Sequence, residues 1–340
     1  MAAGPDLSKP TAPAAGPDLA KREAAAPAEA VASAEAGPQA KAPPRMRGGR
    51  IGRWTPAWFV APAVAALLAV GIFPLVFALV NSFRSYNLTR TRGGHPFIWF
   101  DNYADVLTDS SFQDAMIRTI GFLVTVLPIQ VMLGMGIALF LHKPGVGFLK
   151  TLTRLSLVVP MATTYAVVGL IGRLLFNRDA GIVNYIASQL GIGPIEWLGD
   201  PDMAYVAVAV MDIWQWTPFC ALVFLAGLTM VPNEVEEAAR LETKEWTSIL
   251  RHVQLPYLLP GLTAILILRT ADILKLFDMI FTMTRGGPGA ATELVSVYIQ
   301  RIGFRVFDQG AASAQAILLL ILTIILSRLY IRVVYQEVQQ

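Results

Sequence analysis

The stretch that decides the fold runs from Pro232 to Pro256 and reads PNEVEEAARLETKEWTSILRHVQLP. It is rich in charged and helix-forming residues, whereas the sequence on either side of it is strongly apolar over lengths that can cross a bilayer. A charged stretch in this position predicts a helical loop that stands out of the membrane between two spans.

Two short amphipathic helices are predicted within this loop. Asn233 followed by Glu236 approximates a capping box, which marks the start of the first helix. Apolar residues then fall on one face of each helix, at Val235, Ala238 and Ala239 in the first and at Trp246, Ile249, Leu250 and Val253 in the second. Leu255-Pro256 is expected to end the second helix as the chain enters the next span. Such helices suit either a groove on a partner protein or the bilayer surface, and the pattern alone leaves both open.

The composition excludes a soluble protein, because 55% of the residues are hydrophobic, only 15% are charged and the mean hydropathy is +0.54. A helix needs about 20 apolar residues to cross the hydrocarbon core of a bilayer. Six runs meet that requirement, namely Trp58–Ser82, Ala115–Leu141, Leu149–Phe176, Ala204–Met230, Tyr257–Met283 and Ala312–Val334. Unbroken apolar runs of this length are typical of helices rather than of barrel strands. The sequence therefore predicts an all-α polytopic membrane protein with six transmembrane helices.

The distribution of basic residues predicts the orientation of these spans. Basic residues that would share the cytoplasmic side are Arg45, Arg47, Arg50, Arg53, Lys143, Lys150, Arg328 and Arg332. A smaller set falls on the opposite side, at Arg84, Arg90, Arg92, Arg301 and Arg305. We therefore expect both termini, and the loop between spans four and five, to be cytoplasmic.

The first fifty residues differ in character from the rest of the chain. They are dominated by Ala, Pro and Gly, and the sequence Ala-Gly-Pro-Asp-Leu occurs twice, at Ala3–Leu7 and Ala15–Leu19. Such a segment has too little apolar surface to offset the entropy of ordering, so residues 1–50 are predicted to be a disordered cytoplasmic tail. The pattern of a secretory signal peptide does not occur in it.

Residues that could support catalysis or hold a cofactor do not form recognisable patterns. The three histidines, His95, His142 and His252, show no metal-binding spacing with one another or with Cys220, the only cysteine. Gly286–Gly289 lacks the Lys-Ser/Thr ending of a phosphate-binding loop, so a turn is expected there. We therefore expect a non-enzymatic protein that needs neither a cofactor nor a metal and does not itself hydrolyse ATP.

Three motifs resemble those of one transporter family. Glu237-Ala238-Ala239, with the later Val253-Gln254-Leu255-Pro256, resembles the EAA signature of binding-protein-dependent ABC importer permeases, which ends in Ile-x-Leu-Pro. The family's Trp-x-x-x-Pro-Phe and Phe-Asp…Thr-Gly-Gly-Gly-Pro motifs resemble segments that lie at Trp214–Phe219, Phe277–Ile280 and Thr284–Gly289. From about residue 55 to 335 the chain is similar to carbohydrate-type members of that family, such as the maltose, glycerol-phosphate and polyol permeases.

The resemblance implies a type I ABC importer permease architecture in the bacterial inner membrane, with residues 51–340 as the transmembrane domain. Residues 232–256 would then be the cytoplasmic coupling loop, which docks into an ATPase rather than lying on the bilayer. The implied partners are a second permease subunit, two ATP-binding subunits and an extracytoplasmic solute-binding protein. Membrane lipid would surround the subunit, and nucleic acid is not expected to bind.

The resemblance also implies which residues contact the ATPase. These coupling residues are Glu237, Ala238, Ala239, Glu242 and Thr243. Thr243 departs from the family, which normally carries Asp-Gly where this chain has Glu242-Thr243. Because a β-branched threonine rarely adopts the left-handed backbone angles open to glycine, the turn between the two loop helices is expected to be more helical here.

Charged residues recur at every third position along span five, at Arg269, Asp272, Lys275 and Asp278. This spacing predicts two ion pairs, Arg269–Asp272 and Lys275–Asp278. A charge near the bilayer centre costs at least ~2.5 kcal/mol, so these groups are expected to face protein or a water-filled cavity. The alternative is that they pair with charges on a second permease subunit.

Polar and aromatic residues in span four complete a candidate substrate pocket. Asp212, Gln215, Trp214 and Trp216 lie just before Pro218, where a distorted helix is typical of a transport site. When the Pro and Gly-Gly-Pro landmarks are aligned, with Leu175-Phe176-Asn177 as the anchor for span three, the resemblance implies a set of pocket residues. They are Met161, Tyr165, Asp212, Gln215, Trp216, Arg269, Asp272, Ile273 and Leu276.

The expected cargo follows from the chemistry of that pocket. Carboxylate, amide and guanidinium groups suit sugar hydroxyls, and aromatic faces suit the C–H surface of a sugar ring. We therefore expect a permease that passes a sugar or sugar alcohol delivered by a binding protein. A phosphorylated polyol such as glycerol phosphate is the alternative cargo. A gated channel and a membrane-embedded transferase are alternatives from other classes.

Overall fold

The computed structural model describes residues 55–89, 94–143, 147–243 and 245–338. The chain divides into two compact units, residues 1–65 and 66–340. In the first unit the described residues, 55–65, are helical. The predicted tail, residues 1–50, lies outside the described residues, so that prediction and its boundary at residue 51 stay predictions.

Helices make up the regular structure of the described ranges. In chain order they are α1 (Thr55–Asn81), α2 (Asp101–Thr108), α3 (Ser110–His142), α4 (Gly147–Ala162), α5 (Tyr165–Leu175), α6 (Ile182–Gln189), α7 (Pro201–Thr229), α8 (Asn233–Glu242), α9 (Trp246–Ile249), a π-turn (Leu250–Gln254), α10 (Leu255–Leu274), α11 (Asp278–Met283), α12 (Val295–Phe304) and α13 (Gln309–Val338).

Five helices of the described chain are long and apolar enough to cross a membrane, and a sixth span results if the bent pair α4–α5 is counted as one. The five are α1, α3, α7, the continuous helix from Trp246 to Leu274, and α13. This confirms the predicted all-α polytopic class, with each predicted span falling on one of these segments.

The third predicted span, Leu149–Phe176, is not a single helix, and in this respect the prediction was wrong. It consists of α4 and α5, which meet at an angle of 103°. Pro160 lies in the last turn of α4 and removes one backbone donor there. Thr164, between the two helices, has an extended backbone conformation with φ −71° and ψ 151°. The bend brings the start of α5 beside α7.

Span five also differs from its prediction at both ends. Leu255-Pro256 does not end a helix, because α9, the π-turn and α10 form one continuous helix. In the π-turn the Leu255 N–H donates to the Leu250 carbonyl, five residues back. This wider turn accommodates the Pro256 ring, which would clash with the preceding turn of a regular α-helix. At the other end α10 stops at Leu274, nine residues before the predicted end of the span at Met283.

The core is built where α3, α7, α10 and α11 pack together. Large side chains buried there include Phe122, Phe224, Leu228, Leu258 and Ile280. Gly134 of α3 lies so close to α7 that an added Cβ would stand 2.5 Å from the Cys220 Cβ and 2.9 Å from the Ala221 nitrogen. A side chain at position 134 would therefore separate the two helices. This close packing fixes α3 against α7 next to the polar residues described below.

Candidate functional site

Three polar side chains from three helices meet inside the membrane-spanning part of the molecule. Arg269 of α10 donates from Nη2 to Asp212 Oδ2 of α7 at 2.7 Å, and from Nε to Gln130 Oε1 of α3 at 3.1 Å. The Gln130 amide donates to Asp212 Oδ2 at 2.8 Å and to the Asp212 carbonyl at 3.0 Å. We call Gln130, Asp212 and Arg269 the membrane cluster.

Water has almost no access to the membrane cluster. The exposed fractions of the Asp212, Gln130 and Arg269 residues are 0%, 0% and 1%. Isolated charges at such depth carry a desolvation cost that only pairing and further hydrogen bonds offset. The cluster meets this requirement within one chain, because the two opposite charges touch and the neutral amide bonds to both. It therefore acts as an electrically neutral unit.

An aromatic pair lies directly beside this cluster. The Arg269 guanidinium carbon stands 4.7 Å from the centre of the Trp216 ring, and the Tyr165 ring centre lies 5.8 Å from that of Trp216. Gln215 donates to the Thr163 carbonyl at 3.0 Å. That bond ties the α4–α5 bend to α7, which holds Tyr165 next to the cluster.

Several buried polar atoms around these residues form no hydrogen bond with the described chain. They are Tyr165 Oη, Asp212 Oδ1, Gln215 Oε1, Trp216 Nε1 and Thr217 Oγ1. Tyr165 Oη lies near the Arg269 guanidinium, but without the geometry of a hydrogen bond. Buried polar atoms in folded proteins are nearly always bonded, so these five atoms are candidates for hydrogen bonds to groups outside the described chain. The set contains both donors and acceptors.

The structure brings together six of the nine predicted pocket residues. Tyr165, Asp212, Gln215, Trp216 and Arg269 are adjacent as described, and Asp272 Oδ2 lies 3.8 Å from Arg269 Nη1. Met161 is half-buried at the end of α4. Ile273 and Leu276 are buried in the hydrophobic core. The assignment of all nine residues to a substrate pocket remains a prediction from the resemblance.

The predicted pair Lys275–Asp278 is wrong. Lys275 Nζ instead lies 3.0 Å from Asp272 Oδ1. The physical reason is the end of α10 at Leu274, since Asp278 belongs to the next helix and no longer follows Lys275 by one helical turn.

Gln130 was missed by the sequence reasoning. Its signal is the only amide side chain within span two. A polar group in that position is costly unless it finds a partner inside the bundle. A search for isolated polar residues in every span, rather than in spans four and five alone, would have found it.

A second polar group lies in the coupling loop, residues 232–256. The Glu236 carboxylate of α8 accepts from Arg240 Nη2 at 2.6 Å and from Gln254 Nε2 of the π-turn at 3.4 Å. It also lies 3.3 Å from Nε2 of His142, the last residue of α3. We call these four residues, His142, Glu236, Arg240 and Gln254, the loop cluster.

Glu236 is only 8% exposed, although an open pocket of about 480 Å³ adjoins it. Burial on its own would raise the pKa of Glu236. The hydrogen bonds and charges of Arg240 and His142 outweigh that effect, so the pKa lies below its usual value. The carboxylate is therefore held in its charged form by its partners.

The predicted coupling residues differ in exposure, and Thr243 lines the pocket next to Glu236. Glu237, Ala238 and Glu242 are exposed, while Ala239 and Thr243 are partly exposed. Thr243 has an extended conformation, with φ −140° and ψ 141°. The expectation of a more helical turn was therefore wrong, because a β-branched residue favours extended angles and ends α8 at Glu242.

The start and inner face of the first loop helix also differ from prediction. Pro232, not Asn233, occupies the position before α8, and it makes no side-chain cap. The Glu236 side chain bonds to His142 and Arg240 instead of completing a capping box. The inward position of α8 is thus Glu236 rather than Val235, which is exposed.

Comparisons with known proteins agree with this architecture. The sequence profile of the family described as "binding-protein-dependent transport system inner membrane component" matches residues 108–340. The trehalose/maltose transport system permease protein of Thermococcus litoralis is 33% identical over 70% of this chain and 80% of its own length. The sulfoquinovosyl glycerol transport system permease protein of Agrobacterium fabrum is 31% identical over 81% of this chain and 88% of its own length.

A solved structure shares the fold. It is a chain of a bacterial ABC transporter involved in the import of the acidic polysaccharide alginate. The TM-score is 0.73 at 17% sequence identity, and the match covers 83% of this chain and 96% of the other.

Proposed function

The chain belongs to the family of binding-protein-dependent transport system inner membrane components, which are non-enzymatic permease subunits of ABC transporters, and we propose that its cargo is a neutral sugar or sugar alcohol. The observation that carries the proposal is the set of unsatisfied polar atoms on the aromatic pair, on the membrane cluster beside it and on two neighbouring residues of α7. Relatives named for trehalose/maltose and for a sugar glycoside support a carbohydrate.

The hydrogen-bonding inventory favours a polyhydroxylated molecule. Tyr165, Trp216 and Thr217 offer donors, whereas Asp212 Oδ1 and Gln215 Oε1 offer acceptors. Each hydroxyl group both donates and accepts, so neighbouring hydroxyls of a sugar match such a mixed set. The Tyr165 and Trp216 rings supply apolar surface for the ring face.

The charge balance argues against a phosphorylated polyol. Arg269 is the cation nearest this site. Its Nη2 already lies 2.7 Å from Asp212 Oδ2, and its Nη1 lies 3.8 Å from Asp272 Oδ2. A phosphate group would have to replace a carboxylate that is buried and bonded to Gln130. Because two acidic groups flank the site, a neutral cargo is the better fit.

We expect the subunit to work within a larger assembly. It would pair with a second permease subunit, receive solute from an extracytoplasmic binding protein, and contact two ATP-binding subunits through the coupling loop. In this arrangement both termini and residues 232–256 are cytoplasmic. The exposed Glu237 side chain and its neighbours on α8 supply the docking face.

Uptake measurements test the cargo. The permease, reconstituted with its partners in proteoliposomes, is offered radiolabelled trehalose, maltose, sorbitol and glycerol 3-phosphate. We expect uptake of a neutral member, and Tyr165→Phe should raise its KM by about 2- to 10-fold, the effect of one lost hydrogen bond. Tyr185→Phe, which alters an exposed tyrosine of α6, is the matched control. Uptake of glycerol 3-phosphate alone, or a KM unchanged by both Tyr165→Phe and Trp216→Ala, would overturn the proposal.

Charge reversal tests the coupling contact. Glu237→Lys should abolish the stimulation of ATP hydrolysis by solute and binding protein, because repulsion would replace attraction at the docking face. Glu234→Lys reverses an exposed charge one turn earlier on α8 and should retain at least half of the stimulation. Wild-type transport by Glu237→Lys would show that α8 does not couple the subunit to an ATPase.

A further inference from the structure

The geometry points to a second coupling residue with a role opposite to that of Glu237: Glu236 binds the end of α3 through His142, and α3 transmits movement of the coupling loop to the membrane cluster. This inference rests on the proposed function, since it assumes that an ATPase moves the loop. It concerns contacts within this chain and not the docking contact itself.

Two adjacent glutamates face opposite directions. Glu237 is exposed, whereas Glu236 is turned inward and contacts three other side chains of the loop cluster. Arg240 lies one turn away on the same helix, and its half-exposed ion pair with Glu236 adds little to the connection between elements. His142 and Gln254 differ from it, because they join α8 to α3 and to the π-turn. Any displacement of α8 therefore acts directly on the end of α3.

A second contact joins the same two parts of the molecule. The Lys143 ammonium, next to His142, lies 5.8 Å from the centre of the Trp246 ring of α9. Cation–π attraction at that distance is weak but adds to the hydrogen bonds. The end of α3 is thus attached to both helices of the coupling loop.

Gln130 is the residue through which α3 reaches the membrane cluster. It lies twelve residues before His142 on the same helix, about 18 Å along the axis. Between them, Gly134 packs against α7 with no room for a side chain, which keeps α3 in a fixed register. Gln130 bonds to both charged residues of the membrane cluster. Because α3 stays in register with α7, movement of His142 would carry both helices relative to α10 and change the bonds that Arg269 makes to Gln130 and Asp212.

The test uses the complete transporter with its second permease, ATPases and binding protein. Assembly is measured by co-purification, and ATP hydrolysis is measured with and without binding protein incubated with trehalose, maltose, sorbitol and glycerol 3-phosphate. We expect His142→Leu to assemble but to lower the stimulation ratio at least 5-fold. His142→Gln keeps a donor and should retain at least half of the ratio. His252→Leu removes an exposed histidine of the same loop and should match wild type.

A double variant distinguishes loss of the His142–Glu236 contact from unrelated damage to the protein. His142→Leu combined with Glu236→Leu should lower the stimulation ratio no more than the more impaired single variant does. The reason is that both substitutions remove the same His142–Glu236 contact. Additive losses, or a wild-type ratio in His142→Leu, would overturn the inference. Failure of both His142→Leu and His142→Gln to assemble would also overturn it, because the contact would then serve folding alone. If Glu237→Lys leaves ATP hydrolysis stimulated, the proposed docking role fails instead.

Discussion

The membrane cluster and the loop cluster are connected through α3 but differ in how far water reaches their charged groups. Both contain a carboxylate, an arginine and a glutamine, and both include a residue of α3. The membrane cluster is closed to solvent and its bonds measure 2.7–3.1 Å, whereas the loop cluster borders an open pocket and its longest contact is 3.4 Å. Charged groups inside a bilayer must pair with other groups of the protein, whereas water can also hydrogen-bond to the charged groups of the loop.

This contrast indicates that the two clusters respond differently when one of their contacts is broken. A contact that water can replace is cheap to open and close, which suits a loop that receives movement. A contact with no alternative partner is costly to open, which suits a group that holds three helices against one another. Variants that remove one partner should therefore affect the two clusters by unequal amounts.

The largest effect is expected from Arg269→Met, which leaves Asp212 buried without its opposite charge. Loss of one member of a buried pair costs about 3–5 kcal/mol, so the thermal unfolding midpoint of the purified complex should fall sharply. Arg269→Met combined with Asp212→Leu should recover most of that loss, because neither charge remains. Arg178→Met removes an exposed pair with Glu196 and should cost less than about 1 kcal/mol. Equal destabilisation by the single and double variants would contradict this account.

Gln130→Leu should have the next largest effect. It removes the amide that bonds to both charges but leaves their mutual contact, so the expected loss is about 1–3 kcal/mol. Thermal unfolding of the complex measures it, with Gln189→Leu on the exposed side of α6 as the control. A variant as stable as wild type would show that the amide is dispensable to the membrane cluster.

The smallest effect concerns acid and the loop cluster. The pKa of Glu236 is lowered from 4.5 in the folded chain, so its stabilising contribution is present at neutral pH. That contribution is lost as the pH falls below about 4.5 and the carboxylate is protonated. The difference in unfolding midpoint between wild type and Glu236→Gln should therefore narrow from pH 7 to pH 4. A difference for Glu236→Gln that stays constant from pH 7 to pH 4 would contradict the assignment.

The sequence was sufficient to predict the spans, because length and hydropathy determine whether a helix can cross a bilayer. Hydropathy carries no information on direction, however, and so the bend at Thr164 could not be seen. Pro256 was interpreted as the end of a helix, since a π-turn has no residue signature that distinguishes it from a break.

The sequence indicated which charged residues of spans four and five need partners inside the protein, but it did not pair Arg269 with Asp212. Asp212 and Arg269 are too costly in a membrane to be incidental, and the structure joins them. The partner of Lys275 was predicted wrongly because the end of α10 was not foreseen. Glu236 was interpreted as a cap, because the contact with His142 links positions 94 residues apart and leaves no local pattern.

The π-turn has a consequence for insertions and deletions. It equals one extra residue in an otherwise continuous helix, so deleting a residue from Leu250–Gln254 would remove the wide turn and press the Pro256 ring against the turn before it. The chain before it would then rotate by about 100° around the axis of α10. The part of the loop before the deletion would then face in another direction, although its own side chains are unchanged. The direction in which this loop faces is thus encoded by the number of residues as well as by their identity.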